Sequence, residues 1–498
     1  MTTIPNLLAG APGDPALLAP GRPGLTRAGL ATLAARTAEA LNRRGIGRGD
    51  RVAIVLPNGP EMAAAFLAIA GAATTAPLNP AYTQDEFAFY LGDLGAKAVV
   101  LLQGDDGPAA RAAAQAGVPV LQLVPGTAAG DFTLEGGTPA TAIAPGPAEA
   151  GDVALVLHTS GTTSRPKIVP LSHANLCASA AHIGAALALT PGDLCLNIMP
   201  LFHIHGLMAA VLSSVAAGGA VCCTPGFNAF RFFGWFAEIR PSWVTAVPTM
   251  HQALLPYAER NREAIQAGRL RLLRSSSASL PAPVMQALEA AFGVPVLESY
   301  GMTEAAHQMA SNPLPPRARF PGSVGLAAGP QIAIMAAGQL VAPGELGEVV
   351  IRGPNVTSGY ENNPAANAEA FVDGWFRTGD QGVFDTQGYL RLTGRLKELI
   401  NRGGEKISPL EVDDVLSAHP AVAQCVTFAL PHEKLGEEVA AAVVLVPGAE
   451  CDERALRAFA AERLAAFKVP RRVVFLDEIP KGATGKLQRI GLAARLGL

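Results

Sequence analysis

The residues of this chain that could do chemistry fall in five short stretches. From Leu155 to His173 the sequence reads LVLHTSGTTSRPKIVPLSH, an apolar run followed by Thr159, Ser160, Gly161, Thr162 and Thr163 in a row, then Pro166 and Lys167. Small hydroxyl residues around a glycine let a loop turn its N–H and O–H groups inward as a nest for an anion. Lys167 adds a mobile positive charge of the kind phosphates attract. The pattern differs from the GxxxxGK[ST] phosphate loop, which the chain lacks.

The second stretch is LESYGMTE, Leu297 to Glu304, at the end of an apolar run. Tyr300 offers a ring face, Thr303 a hydroxyl, and Glu304 a hard oxygen donor suited to Mg²⁺ beside phosphates. In FRTGD, Phe376 to Asp380, an acid sits on a glycine turn, where a carboxylate can accept from two ribose hydroxyls. GRLKELINRGGEKI, Gly394 to Ile407, combines Arg395, Lys397 and the pair Gly403-Gly404. Near the end, PKGATGKLQR carries Lys486 on a glycine-bearing loop.

The surrounding pattern shows what must hold these stretches. A helix is expected near Gly29–Arg44, with Leu30, Leu33, Ala34, Ala38 and Leu41 at helical spacing. Strands at 52–56, 98–102 and 118–123 alternate with helical segments, the pattern of a mostly parallel sheet covered on both faces. Pro125 to Gly151, rich in Gly, Ala, Pro and Thr, reads as an irregular connection. Alternation resumes after His173 with strands at 193–199, 220–223 and 243–247 and helices at 206–217 and 232–239. Two α/β halves thus flank the TSGTTSRPK loop. Beyond Gly322, short strands between Gly and Pro predict a small β-barrel over about 322–394. A compact α+β unit follows, with helices at 409–418 and 453–466. The expected organisation is an α/β multidomain chain: a large N-terminal part, residues 1–394, and a small C-terminal part, 395–498, with the boundary at Arg395 to Lys397.

Composition narrows the class. The 498 residues are too many for one compact core, and 49% hydrophobic with 16% charged residues describes a soluble globular enzyme. A net charge of −3 leaves no footprint for nucleic acid. The uncharged run Leu194 to Phe230 is broken by Asn197, Pro200, His203, His205 and Pro225, so a buried helix between strands is expected there, not a membrane span. Six cysteines show neither metal spacing nor a paired framework. Neither a signal peptide nor a peroxisomal tripeptide is evident, and the cytoplasm is the expected location.

TSGTTSRPK, YGMTE, RTGD, GRLKELI and PKGATGK in this order, over about 330 residues, resemble the motif set of the adenylate-forming superfamily, and the resemblance spans the chain. It implies ATP bound between a large domain and a small mobile one. By that resemblance Thr159 to Lys167 close over the β- and γ-phosphates. Ser277, Ala278, Ser279, Glu298, Ser299, Tyr300, Gly301, Met302 and Thr303 line the adenine side of the site, Glu304 ligates Mg²⁺, and Asp380 and Arg395 hold the ribose. Lys486 bridges the acid and the α-phosphate, Lys397 is the hinge, and Gly403-Gly404 lie beside the coenzyme A arm. His203, Thr303, Glu304 and Lys486 are the implied catalytic set.

Within the superfamily the chain is most similar to oxalate–CoA ligases, through MPLFHIHGLMAAVLSS (Met199 to Ser214), TAVPTMHQ, SASLPAPV, RGPNVTSGY and ELINRGGEKISPLEVD. A small dicarboxylate needs donors facing its second carboxylate, and His203, Ser277 and His307 are the candidates. His205 and His251 are read as framework. Malonate-activating relatives tend to carry Arg before the YG turn, where this chain has Ser299. Another small or medium-chain acid, such as malonate or a fatty acid, is the alternative substrate. A carrier-protein-loading adenylation enzyme and a non-catalytic nucleotide sensor are the alternatives from other classes. The expected partners are a small carboxylic acid and coenzyme A, with no nucleic acid, no membrane insertion, and a monomer or homodimer.

Overall fold

The computed structural model describes residues 2–159, 166–480 and 488–498. The described residues form four sheets. A seven-stranded sheet runs in the order Phe132–Glu135, Val120–Pro125, Ala98–Leu102, Arg51–Val55, Thr74–Pro77, Val153–His158, Ile168–Ser172. Its interior neighbours are parallel, and both edges are antiparallel pairs. The loop expected to bind phosphate leaves one of those edge pairs. At the other edge the structure corrects the reading of 125–151 as irregular: Phe132–Glu135 is a strand with alternating burial. Four residues among Gly, Ala and Thr are too few to show a period in sequence.

The second sheet has nine strands, ordered Leu326–Ala327, His307–Ser311, Val296–Met302, Leu272–Ser276, Trp243–Ala246, Leu194–Asn197, Ala220–Cys223, Pro15–Leu18, Leu25–Thr26. One apolar cluster joins the two sheets through Ile54, Leu155, Trp243 and Leu297. Helix Pro60–Ile69 lies within it with nine buried residues, as a helix apolar on every side must. Its four alanines let it sit close to its neighbours.

The helix expected at 206–217 is in fact a π-helix, His205–Leu212, continued by an α-turn, Ser213–Ala216. Ser213 and Ser214 donate their hydroxyls to the carbonyls of Ala209 and Ala210 at 2.5 and 2.6 Å. π-Turns of this kind concentrate at functional sites. No helix of the described residues is long and apolar enough to cross a membrane.

The region expected as a small barrel is a six-stranded antiparallel half-barrel, whose hairpin Trp375–Phe384/Leu390–Arg395 sets Asp380 opposite Arg395. The C-terminal unit is a five-stranded sheet with helices Pro409–Ser417 and Glu453–Ala461 and its own apolar cluster. Strands Ile400–Arg402 and Glu405–Ile407 join through Gly403 and Gly404, at φ +59° and +100°. A two-residue hairpin turn needs two positive φ angles, which only glycine adopts without strain.

Candidate active site

Two cavities meet at Ser277. One, of about 310 Å³, is lined by Ser277, Ala278, Ser279, Glu298, Ser299, Tyr300, Gly301, Asp380 and Arg395, with Asp413, Asp414, Gln424, Cys425 and Arg489 from the C-terminal unit. The other, of about 110 Å³, is lined by Asn79, Tyr82, Tyr90, His158, Phe202, His203, His205, Ser277 and Thr303 among others. A wider groove of about 1340 Å³ along helix Arg27–Asn42 contains none of the candidate residues.

Sheet register explains the convergence. Leu272–Ser276 and Val296–Met302 are parallel, with Ser275 beside Glu298 and Ser276 beside Ser299, so both end at the rim where ligands of open α/β sheets gather. Ser277 leaves its strand at φ +76°, a left-handed conformation for a residue with a side chain. A Cβ on Gly301 would lie 1.7 Å from the His307 carbonyl oxygen, so the position admits only glycine.

In the larger cavity Asp380 accepts from Arg395 Nε at 2.8 Å and from the Tyr300 hydroxyl at 2.5 Å. Burial and the nearby Asp380 charge hold the Tyr300 hydroxyl un-ionised. Four acceptor positions on a carboxylate leave Asp380 room for further donors. Glu298 accepts from the Leu280 N–H at 3.0 Å, while its Oε2 is buried with no partner. Burial first, then Asp414, push its pKa up to about 8.

Glu304, 7% exposed, accepts from the Tyr360 hydroxyl at 2.8 Å, and Lys167 Nζ lies 4.4 Å from the Tyr360 ring centre. Burial raises the Glu304 pKa. The base of the hydroxyl-rich loop is closed by the Thr159 N–H on the Lys167 carbonyl and the Lys167 N–H on Thr159 Oγ1, at 2.9 and 3.1 Å. Ser160, Gly161, Thr162, Thr163 and Lys486 lie outside the described residues. Arg489, three positions after Lys486, is held at the larger cavity by Asp413 at 2.6 Å and Glu398 at 3.3 Å. Met302, Lys397, Gly403 and Gly404 are in neither lining, although Glu398, next to Lys397, lines the larger cavity.

Among the histidines, His203 lines the smaller cavity as expected. His205, read as framework, also lines it and bonds Ser277 Oγ through Nδ1 at 3.1 Å. His307 lies one layer behind, 1% exposed, its ring stacked on His205 at 4.9 Å. His251 is framework: fully buried, 3.1 Å from the Arg274 carbonyl, and held neutral by burial, its pKa pushed down to about 4. Sequence reasoning missed Tyr360, the His158–Asp93 pair at 3.0 Å, and Arg274. Arg274 is fully buried beneath His205 and His307, and desolvation lowers its pKa to about 9, so it stays cationic at neutral pH. A cation inside the apolar run LRLLRSS was the available signal.

Residues 7–361 match the family of AMP-binding enzymes, and residues 411–486 match the AMP-binding enzyme C-terminal domain. An oxalate–CoA ligase of Arabidopsis thaliana is 46% identical over 98% of this chain and 96% of its own. One of Saccharomyces cerevisiae is 42% identical over 89% of this chain and 86% of its own. Among solved structures, ATP-bound MatB from Rhodopseudomonas palustris superposes with a TM-score of 0.88 at 32% identity, covering 98% of this chain and 97% of that one, whereas apo MatB reaches 0.79. On these matches and on the cavities just described, the chain belongs to the AMP-binding enzyme family.

Proposed function

We propose that the chain is an ATP-dependent acid–CoA ligase acting on oxalate. Oxalate attacks the α-phosphate of ATP, giving oxalyl-AMP and pyrophosphate, and the thiol of coenzyme A then displaces AMP to give oxalyl-CoA. Bringing a carboxylate to a phosphate sets two anions against each other. Lys486 and the 159–167 loop offset that repulsion and stabilise charge on the pentacoordinate phosphorus. Asp380 and Arg395 hold the ribose, and Ser277 to Ser279 with Glu298 to Tyr300 frame the adenine. Mg²⁺ fits the donor set of Glu304, a buried carboxylate beside the Thr303 hydroxyl; such a site completes its octahedron with phosphate oxygens and water. When bound there, it supplies positive charge beside the phosphates. The parts 1–394 and 395–498 act as the large and the mobile domain, Lys397 the pivot between them, and Gly403-Gly404 move toward the thiol arm in the second step. The six cysteines are free thiols, consistent with a reducing cytoplasm.

The observation that carries the choice of acid is the smaller cavity. Its 110 Å³ is small, and among its apolar lining it sets His203, His205, Ser277 and Thr303, which suits a two-carbon dianion better than a long acyl chain. The relatives named oxalate–CoA ligase support the same reading. The test is pyrophosphate release with oxalate, malonate, sulfoacetate, acetate and octanoate, with and without coenzyme A. Oxalate should lead in kcat/KM, and thioester should form only with coenzyme A present. A tenfold advantage of malonate or octanoate over oxalate rejects the substrate; release without thioester from any acid rejects the ligase.

A further inference from the structure

We infer that Arg274 is a positioning residue for acid specificity, holding a hydrogen-bond relay through Thr245 and His205 that aims the Ser277 hydroxyl as a donor at the junction of the two cavities. The inference rests on the dicarboxylate reading above and names what recognises the second carboxylate.

Among the described residues two arginine side chains are buried almost completely, and they differ in partners. Arg27 directs its donors to the carbonyl oxygens of Ala9, Val215 and Gly219, as a structural arginine does. Among the described residues Arg274 has only side-chain partners, none of them acidic: Thr245 Oγ1 at 3.3 Å, His205 Nε2 at 3.4 Å, His307 Nε2 at 3.2 Å and Gln308 Oε1 at 3.3 Å. No carboxylate of the described residues pairs with it. A buried charge without a counter-ion is costly to keep unless something arrives to balance it.

Arginine can only donate, and that fixes the direction of the chain. Nε2 of His205 and of His307 must accept, so each neutral ring carries its proton on Nδ1. Thr245 accepts from Arg274 and donates to His205 Nε2 at 2.7 Å. His205 Nδ1–H then donates to Ser277 Oγ at 3.1 Å. Ser277, which lines both cavities, is left with its own hydrogen to give, and the guanidinium polarises every link behind it. A dianionic acid profits from such a donor and from the positive field; a monoanion of the same size profits less. Sheet register builds the arrangement, since Thr245 is the neighbour of Arg274 across two parallel strands. The titratable groups facing Arg274 are His205 on the π-helix, His307 on the strand His307–Ser311 two places along the sheet, and Cys195, a thiol kept neutral by burial. His251 reaches only its carbonyl.

The test measures ATP–pyrophosphate exchange driven by oxalate, from pH 5.5 to 8.5, in wild type, Arg274→Met, Arg274→Lys and Thr245→Val. Arg274→Met should raise KM for oxalate on the order of tenfold or more, as for a lost charge-assisted contact, with KM for ATP and thioester formation from pre-made oxalyl-AMP nearly unchanged. With the cation gone the imidazoles can protonate, so KM for oxalate in that variant should improve as the pH falls toward 6, which a packing defect would not produce. Arg274→Lys should recover part of the loss. Should Arg274→Met fail to fold, Thr245→Val breaks the relay and keeps the charge, and its oxalate KM should rise a few-fold. An unchanged oxalate KM in Thr245→Val, or equal rises for oxalate and ATP without the acid-side recovery in Arg274→Met, overturns the inference. Those results would leave oxalate as the substrate of the wild type, whereas a wild type that prefers octanoate removes the substrate reading itself.

Discussion

At the scale of single residues, the site works by setting charges against one another at short range. In the proposed reaction Lys486 supplies the charge at the forming bond to phosphorus. Lys486→Ala should lower oxalyl-AMP formation by a factor on the order of 10² or more, the usual cost of one removed transition-state contact. Attack of coenzyme A on pre-made oxalyl-AMP should be nearly unaffected. Equal losses in the two half-reactions, followed separately by pyrophosphate release and thioester absorbance, would show that one domain arrangement serves both steps. Tyr300 tests the ribose side. Its hydroxyl donates to Asp380 inside a buried contact, so Tyr300→Phe removes one hydrogen bond and leaves the Arg395 pair intact. A net hydrogen bond is worth about 1 kcal/mol, so KM for ATP should rise about fivefold while KM for oxalate stays put. A rise confined to the acid would place Tyr300 elsewhere in the mechanism.

At the scale of elements, a strand and a helix that both line the larger cavity hold ionisable groups in unusual states. Glu298 comes from the strand Val296–Met302, and Asp414 from the helix Pro409–Ser417 across the larger cavity. Burial first, then the charge of Asp414 on Glu298 and of Asp413 on Asp414, raises their pKa values to about 8 and about 6, from ordinary values of 4.5 and 3.8. A carboxyl whose folded pKa lies above its unfolded one binds its proton more tightly in the folded state. Its contribution is therefore complete below the unfolded value and lost as pH rises through the folded one. Without nucleotide, the first thermal transition of the wild type should fall between pH 5 and 8. Glu298→Gln keeps the shape without the ionisation, so its transition should fall less over that interval. Parallel curves for the two proteins, by calorimetry, would mean that Glu298 ionises normally in the folded chain.

At the scale of the molecule, the proposed reaction requires the C-terminal part to change its place between the two steps. The chain superposes better on the ATP-bound than on the apo form of the same relative, 0.88 against 0.79, at the same 32% identity. Sequence divergence is constant between those two comparisons, so the difference lies in arrangement. Arg489, bound to Asp413 and Glu398 at the rim of the larger cavity, belongs to the arrangement seen here. Lys397, exposed in the short turn Leu396–Glu398, is where the chain should rotate. Proline holds φ near about −65° and removes a donor. Lys397→Pro should still release one equivalent of pyrophosphate and then fail to form thioester. Full thioester turnover by that variant would move the pivot to another position.

Much of this was legible in the sequence because it is local. A glycine turn bearing an acid and a glycine pair between two short segments state their backbone geometry within ten residues. The alternation of apolar runs with helical spacing states the α/β class in the same way. Strand Phe132–Glu135 was lost because four residues carry too little period, and the π-turn at His205 because a one-residue widening leaves the apolar pattern unchanged. The relay was out of reach for a different reason. Arg274, Thr245 and His205 lie 29 and 69 residues apart along the chain. They meet only because parallel register sets Thr245 beside Arg274 and the π-helix crosses over them. Residue types and spacing thus determined which groups were available to phosphate, ribose and acid. Sheet register and burial in the tertiary structure decided that His205 lines the smaller cavity, that His307 stands behind it, and that Arg274 lies beneath both.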